Sequence, residues 1–136
     1  MLEMALNKKW LEKIIGREVM KFCYPGGRYN EETIQALKMT GFKYARTAVV
    51  MNTEKPKDPF RVATTVHVRP YRKEYKGRKW YEVATELYKK AIGKKNGYFH
   101  LWGHSWEIEE FNIWGELEKF FKKISKDTKL WLPKDR

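Results

Sequence analysis

The sequence is poor in cysteine and has no long apolar run. Its one cysteine, Cys23, excludes an internal disulfide framework and a four-cysteine zinc site. No stretch approaches the roughly 18 apolar residues that a membrane-spanning helix needs, and the first residues lack the apolar segment of a secretory signal. We therefore expect a cytoplasmic protein whose 136 residues form a single domain with its own hydrophobic core.

Positive charge and aromatic residues are both abundant. The chain has 29 Lys+Arg against 17 Asp+Glu, which gives a formal charge of +12, and it has six Trp, eight Tyr and seven Phe. The aromatic residues provide large surfaces for a buried core. The charge permits anionic partners such as nucleic acid or acidic glycans, but it does not define a fold. The abundance of Lys and Glu is also typical of proteins from thermophiles.

Hydrophobic periodicity predicts an alternation of helices and strands, which favours an α/β class with a mostly parallel sheet. In such folds the reactive groups lie beyond the carboxyl ends of the strands. The predicted elements are helices over 6–15, 31–41, 80–92 and 112–124, strands over 19–24, 44–51, 64–68 and 98–102, loops over 52–62 and 69–77, and a short strand or packing tail at 130–132.

One histidine follows the fourth predicted strand. His104 stands beside Gly103, which allows close approach, and Glu107 comes three residues later. A histidine can act as a general acid or base when a carboxylate orients it. The alternative is a loop histidine that bonds a backbone group, and the spacing leaves both interpretations open.

His100 and His104 have the HxxxH spacing of some zinc sites, but we predict no shared metal ion. Two histidines four residues apart on a strand are roughly 13 Å apart, and zinc–nitrogen bonds are only about 2.0–2.1 Å long. His67, on the third predicted strand, is expected to pack in the sheet or in the wall of a pocket.

A glycine-rich turn follows the first predicted strand. Consecutive glycines after Tyr24 and Pro25 expose backbone N–H groups that can bind an oxyanion, although an ordinary tight turn explains them equally well. Arg46 lies in the second predicted strand, where a buried charge needs a partner. It could pair with a carboxylate such as Glu107, hold a substrate or point to solvent.

Two segments resemble conserved blocks of the polysaccharide deacetylases, the NodB-homology group of carbohydrate esterase family 4. They are FCYPGGRYNEETIQALKMTGFKYART, which resembles the third block, and YFHLWGHSWEIEE, which resembles the last block in one branch. The resemblance implies part of a (β/α) barrel and metal-dependent hydrolysis of acetyl groups on sugars. It also implies that His104 is the catalytic acid and that a backbone N–H in the Tyr24, Pro25 and Gly26 turn helps to hold the oxyanion. Cys23 occupies a position where many members have arginine.

The first two blocks of that family are missing from this sequence. They are an Asp-Asp block, which supplies the base and a metal ligand, and a His-Ser/Thr-x-x-His block, which supplies two metal-ligating histidines. The chain therefore resembles the C-terminal half of a deacetylase only. We expect it to hold no metal of its own and to be inactive alone. We also expect it to form a homodimer or to bind a separate N-terminal half, with a carbohydrate as its ligand.

A basic module that binds nucleic acid or an acidic glycan is the alternative function. Residues 69–80, RPYRKEYKGRKW, interleave six basic residues with two Tyr and a Trp. Basic residues and exposed aromatics together are typical of single-stranded nucleic-acid binding. A solvated surface loop has the same composition, so this pattern leaves both possibilities open.

Overall fold

The computed structural model describes residues 2–126, and these form two compact units. The first unit takes in the chain up to Val49 together with Pro56–Ala63, and the second takes in Val50–Lys55 and the chain from Thr64 onward. The predicted short strand at 130–132 lies outside the described residues. Within residues 2–126, every helix is too short or too polar to cross a lipid bilayer.

The first unit contains one pair of parallel strands joined by a helix. Strand β1 pairs with strand β2 in parallel, with Lys21 opposite Tyr44 and Cys23 opposite Arg46. Parallel strands need a crossover connection, and helix α2 provides it. The elements of this unit are α1 (Leu2–Ile15), β1 (Lys21–Cys23), a 3₁₀ turn (Pro25–Gly27), α2 (Glu31–Met39) and β2 (Tyr44–Arg46).

The start of α2 is set by its capping residue, as the sequence predicts. The side chain of Asn30 accepts a hydrogen bond from the backbone N–H of Thr33 at 2.8 Å, which satisfies one of the free donors of the first turn. Beyond the helix, Gly41 has a φ of +86°, a conformation that glycine adopts without strain. The helix buries Ile34 and Leu37 in the core of the first unit.

The apolar stripe of α1 is exposed. Leu6, Trp10 and Ile14 are 57%, 63% and 61% exposed, although their spacing places them on one face of the helix. The buried residue of α1 is instead Lys8, whose ammonium forms an ion pair with Glu12. The predicted helix is therefore confirmed, but none of the described residues covers its apolar stripe.

The second unit repeats the arrangement of two parallel strands and a connecting helix. Val66 pairs with Leu101 and His67 with Trp102. The elements of this unit are β3 (Val66–His67), a 3₁₀ turn (Lys73–Tyr75), α3 (Trp80–Ile92), β4 (Leu101–Trp102), α4 (Ser105–Glu110) and α5 (Trp114–Ile124). Its core is formed by α3 and α5, with Trp80, Val83 and Phe120 fully buried.

The mixture of helices and parallel strand pairs confirms the α/β class, but several predicted bounds are wrong. The strands are two or three residues long, whereas the sequence pattern predicted five to eight. After Arg46 the chain bends, and the N–H of Thr47 donates to the carbonyl of Val62. We expected a loop at 103–107 after the fourth predicted strand, but α4 begins at Ser105. The carbonyl of His104 accepts hydrogen bonds from the N–H groups of Glu107 and Ile108. The barrel stays a prediction.

Candidate functional site

Three ionisable side chains meet at the carboxyl ends of β3 and β4. His67 is the last residue of β3, and His104 follows β4 by two residues and immediately precedes α4. Glu107 lies in the first turn of α4. Because β3 and β4 are parallel and paired at His67 and Trp102, their carboxyl ends lie at the same edge. We call these three residues the His67–Glu107–His104 cluster.

A single carboxylate oxygen of Glu107 contacts both histidines. Its Oε2 lies 2.7 Å from Nδ1 of His104 and 3.2 Å from Nε2 of His67. The Glu107 side chain is only 4% exposed, and its other oxygen, Oε1, lies 4.0 Å from the guanidinium of Arg69. A buried carboxylate requires such partners because the loss of solvation is costly. The cluster is thus an electrostatically coupled group within the second unit.

The hydrogen bonds of His67 define which of its nitrogens carries the proton. The backbone N–H of Arg69 donates to Nδ1 of His67 at 2.9 Å. A neutral imidazole has one donor and one acceptor nitrogen, so the proton lies on Nε2, the nitrogen that faces Glu107. Burial lowers the pKa of His67 to about 4, although the charge of Glu107 opposes this shift. His67 is therefore neutral at physiological pH and donates to Glu107.

His104 is arranged to exchange protons with a bound molecule. Its Nδ1 faces Glu107 and its side chain is 50% exposed, whereas the carboxylate that orients it is buried. The indole of Trp106 stacks on the His104 ring with centroids 5.8 Å apart. With Nδ1 held by the carboxylate, Nε2 is the nitrogen available as a general acid or base. The predicted proximity of His104 and Glu107 is present in the structure, while the catalytic role stays a prediction.

The glycine-rich turn lies in the first unit and uses several of its own donors. The N–H of Tyr24 donates to the carbonyl of Arg46 at 3.1 Å, and the N–H of Gly27 donates to the carbonyl of Tyr24 at 2.9 Å. Pro25 has no N–H. Gly26 has a φ of +60°, and a Cβ added there would meet no other atom within 4 Å. Its N–H is therefore the donor of this turn to consider for an oxyanion.

Tyr24 itself is a core residue. Its hydroxyl donates to the carbonyl of Phe60 at 2.9 Å, and its ring stacks on Tyr29. Burial raises the pKa of the Tyr24 hydroxyl to about 12. The side chain therefore anchors the start of the turn and remains protonated at physiological pH.

Arg46 contacts the cysteine opposite it in the parallel pair. Its Nη2 lies 2.7 Å from Sγ of Cys23, and its Nη1 donates to the carbonyl of Thr47 at 3.2 Å. Arg46 belongs to the first unit and Glu107 to the second. Their pairing stays a prediction.

The sequence pattern does not predict the contact between His67 and Glu107. We expected His67 to pack in the sheet, and it is indeed buried, but its ring also contacts Glu107. The signal was present, because His67 lies near the carboxyl end of a predicted strand, the region where reactive groups collect in parallel sheets. His100 makes a different contact, in which its Nδ1 lies 2.7 Å from the hydroxyl of Tyr98.

Two of the three aromatics in the basic segment 69–80 are not on the surface. Tyr75 and Trp80 are buried in the core of the second unit, and only Tyr71 is exposed. Arg78 forms an ion pair with Glu86. Buried rings cannot stack on bases, so within this segment the aromatic part of the nucleic-acid hypothesis rests on Tyr71 alone.

The cluster does not fit a resident metal ion, although one ligand atom from each of its three residues lies within 4.8 Å of the others. Nδ1 of His67 already accepts the Arg69 N–H, so Nε2 carries the proton and has no lone pair for a metal. Only His104 and Glu107 then remain as ligands. Zinc sites use at least three protein ligands, so no reaction step is assigned to a metal here.

Comparison with known proteins found one family model that matches a segment of the first unit. Residues 2–45 match the family model described as polysaccharide deacetylase. The match includes α1, β1, the glycine-rich turn and α2, and it ends within β2. The first of the two segments that resemble polysaccharide deacetylases thus lies largely inside the match, and the His67–Glu107–His104 cluster lies outside it. No curated protein and no solved structure matches the chain.

Proposed function

We propose that this chain forms the C-terminal part of a polysaccharide deacetylase-like hydrolase, with His104 as its general acid. The observation that carries the proposal is the 2.7 Å contact between the buried Glu107 and the half-exposed His104. The family match over residues 2–45 supports the same reaction class. In this proposal the substrate is an acetylated sugar, and the two units belong to a barrel that a further polypeptide completes.

The chemistry assigned to His104 follows from its hydrogen bond. In the imidazolium form of His104, Nδ1–H donates a hydrogen bond to Glu107, which orients the ring, and the proton on Nε2 is the one that can be donated. When the tetrahedral intermediate of deacetylation collapses, this proton passes to the departing nitrogen or oxygen of the sugar. General acid catalysis of this kind contributes about 10²–10⁴-fold. The N–H of Gly26 is proposed separately, within the first unit, as a donor to an oxyanion.

We further propose that this polypeptide alone does not deacetylate. The Asp-Asp block and the His-Ser/Thr-x-x-His block are absent from its sequence, so it lacks the base and the metal ligands of the family, and the His67–Glu107–His104 cluster does not replace them. Without an activated water, the acid has no intermediate to protonate.

An acetate-release assay tests this proposal. Chitin oligomers and acetylated xylan are incubated with the chain alone, and with the chain plus a polypeptide that carries the two missing blocks, in each case with added zinc or cobalt. We expect turnover only in the mixture, and we expect His104→Ala to reduce it by about 10²-fold or more. His100→Ala is the matched control, because His100 lies outside the cluster. Robust turnover by the chain alone, or full activity of His104→Ala in the mixture, would refute the corresponding part of the proposal.

The exposed stripe of α1 supports the proposal that the chain associates. Leu6, Trp10 and Ile14 form an uncovered apolar row, and such surfaces are typical of interfaces. We propose that this row contacts a second copy or the missing N-terminal half. Light scattering at high concentration should show a dimer that Trp10→Ser weakens and that Trp114→Ser, a change at another exposed tryptophan, leaves intact. A monomeric mass, both alone and with the added N-terminal polypeptide, would exclude this association.

A further inference from the structure

We propose that His67 is a positioning residue, which holds the Glu107 carboxylate against His104 by donating its Nε2 proton. This inference deepens the proposed function, since the acid role of His104 rests on that proposal. The arrangement itself stands on contacts within the second unit. The main contact is the shared oxygen, because Oε2 of Glu107 lies 2.7 Å from Nδ1 of His104 and 3.2 Å from Nε2 of His67.

The ring of His67 is held in one orientation from two sides. On one side, the backbone N–H of Arg69 donates to Nδ1 at 2.9 Å. Because this donor belongs to the backbone, rotation of the Arg69 side chain cannot remove it. On another side, the indole of Trp102 packs against the ring at right angles with centroids 4.0 Å apart, and the indole N–H of Trp102 donates to the hydroxyl of Thr64 at 2.9 Å. The position of Nε2 is therefore fixed by two neighbouring elements.

Glu107 also lies near a cation that could draw its carboxylate away from His104. The backbone of Glu107 lies in α4, a helix of only six residues. Its Oε1 lies 4.0 Å from the guanidinium of Arg69, whose side chain is half-exposed. A donor fixed on β3 favours the rotamer in which Oε2 faces His104. Loss of that donor would leave a buried oxygen with one hydrogen bond fewer, a change that destabilises the native rotamer.

The fixed proton also distinguishes this cluster from a metal centre. Metal coordination through Nε2 of His67 would require the proton to move to Nδ1, where it would meet the Arg69 N–H head-on. A proton-handling cluster and a metal site therefore predict opposite tautomers for the same ring. This difference can be measured without any enzymatic activity.

Two substitutions of His67 separate its donor from its acceptor. The amide nitrogen of His67→Gln reaches the position of Nε2 and can donate to Glu107. His67→Asn reaches only the position of Nδ1, so it can accept from Arg69 but cannot contact Glu107. Both residues are polar and neither titrates, so the two variants differ in which of the two hydrogen bonds of His67 they keep.

The experiment is a long-range nitrogen–proton NMR spectrum of the histidine rings in the full chain. In the unmodified protein we expect His67 to be a neutral ring protonated on Nε2 at neutral pH, and we expect the Nδ1–H signal of His104 to be protected from exchange. We expect His67→Asn to abolish that protected signal and His67→Gln to retain it. Addition of Zn²⁺ alone should leave the His67 signals unchanged. If His67→Asn does not fold, the tautomer of the unmodified protein and the zinc titration remain decisive.

Several outcomes would overturn the inference. They are a His67 ring protonated on Nδ1, a protected His104 signal that survives in His67→Asn, and a joint shift of His67 and His104 on addition of Zn²⁺. An absence of hydrolysis in the complemented assay, together with the expected spectra, would instead reject the proposed function and leave the positioning role intact. In an active complemented enzyme, His67→Asn should lower kcat and leave KM unchanged, because His67 contacts Glu107 and not the substrate.

Discussion

Replacing His67 by glutamine should remove a pH-dependent component of the free energy of unfolding. Burial lowers the pKa of His67 from 6.5 to about 4 in the folded chain. Below pH 6.5 the unfolded chain binds a proton that the folded chain does not, so the stability supplied by the neutral ring is fully present above that pH and is lost as the pH falls towards 4. The difference in pKa corresponds to about 3 kcal/mol.

Urea denaturation followed by tryptophan fluorescence measures this component, since Trp80 is buried in the same unit as His67. The free energy of unfolding is determined between about pH 7.5 and about pH 4 for the unmodified chain and for His67→Gln. The free energy of unfolding of the unmodified chain, relative to that of the variant, should fall by about 3 kcal/mol as the pH is lowered across this range. His100→Gln, which removes a histidine outside the cluster, should not reproduce the change. A difference that stays constant with pH would refute the assignment of a buried neutral ring.

Three substitutions test the packing of the two units by the same denaturation assay. Gly97→Ala should lower the free energy of unfolding by about 3 kcal/mol, because the added Cβ would overlap a carbonyl oxygen of α3. Gly115→Ala should leave it unchanged or raise it, because a Cβ at Gly115 meets no other atom within 4 Å. Equal effects of the two substitutions would contradict this geometry. Asn30→Ala should cost about 1 kcal/mol through loss of the cap of α2, and Asn30→Ser should restore most of it. Phe120→Ala should cost about 4 kcal/mol, far more than the same change at Phe121, which is 45% exposed.

The helices could be predicted well because their signals are local. The spacing of apolar residues predicted helix α3 with both of its observed ends, and Asn30 and Gly41 marked the start and the end of α2. The strands could not be predicted to the same accuracy. A strand is as long as the neighbour that pairs with it. The register of β1 with β2 ends at Cys23 and Arg46, although later residues of the predicted strand, such as Val50, have high β propensity.

In the candidate site, too, the contacts between residues close in the sequence could be predicted, and those between distant residues could not. The contact between His104 and Glu107 could be predicted because the two residues are only three positions apart in the sequence. The contact with His67 depends on the pairing of β3 with β4, and no local pattern reports that pairing. The tautomer of His67 depends further on the backbone of Arg69, which only the folded chain places against the ring.

Because Glu107 lies between two histidines, the cluster depends on the register in which β3 pairs with β4 in the second unit. His104 and Glu107 move together, because a single short stretch carries both. His67 arrives on a separate strand, and a slip of one position along β4 would turn its ring to the opposite face of the pair. A chain with the wrong strand register would thus keep the contact between His104 and Glu107 but lose the contact between His67 and Glu107. Correct strand alignment is, in this sense, a precondition for chemistry at His104.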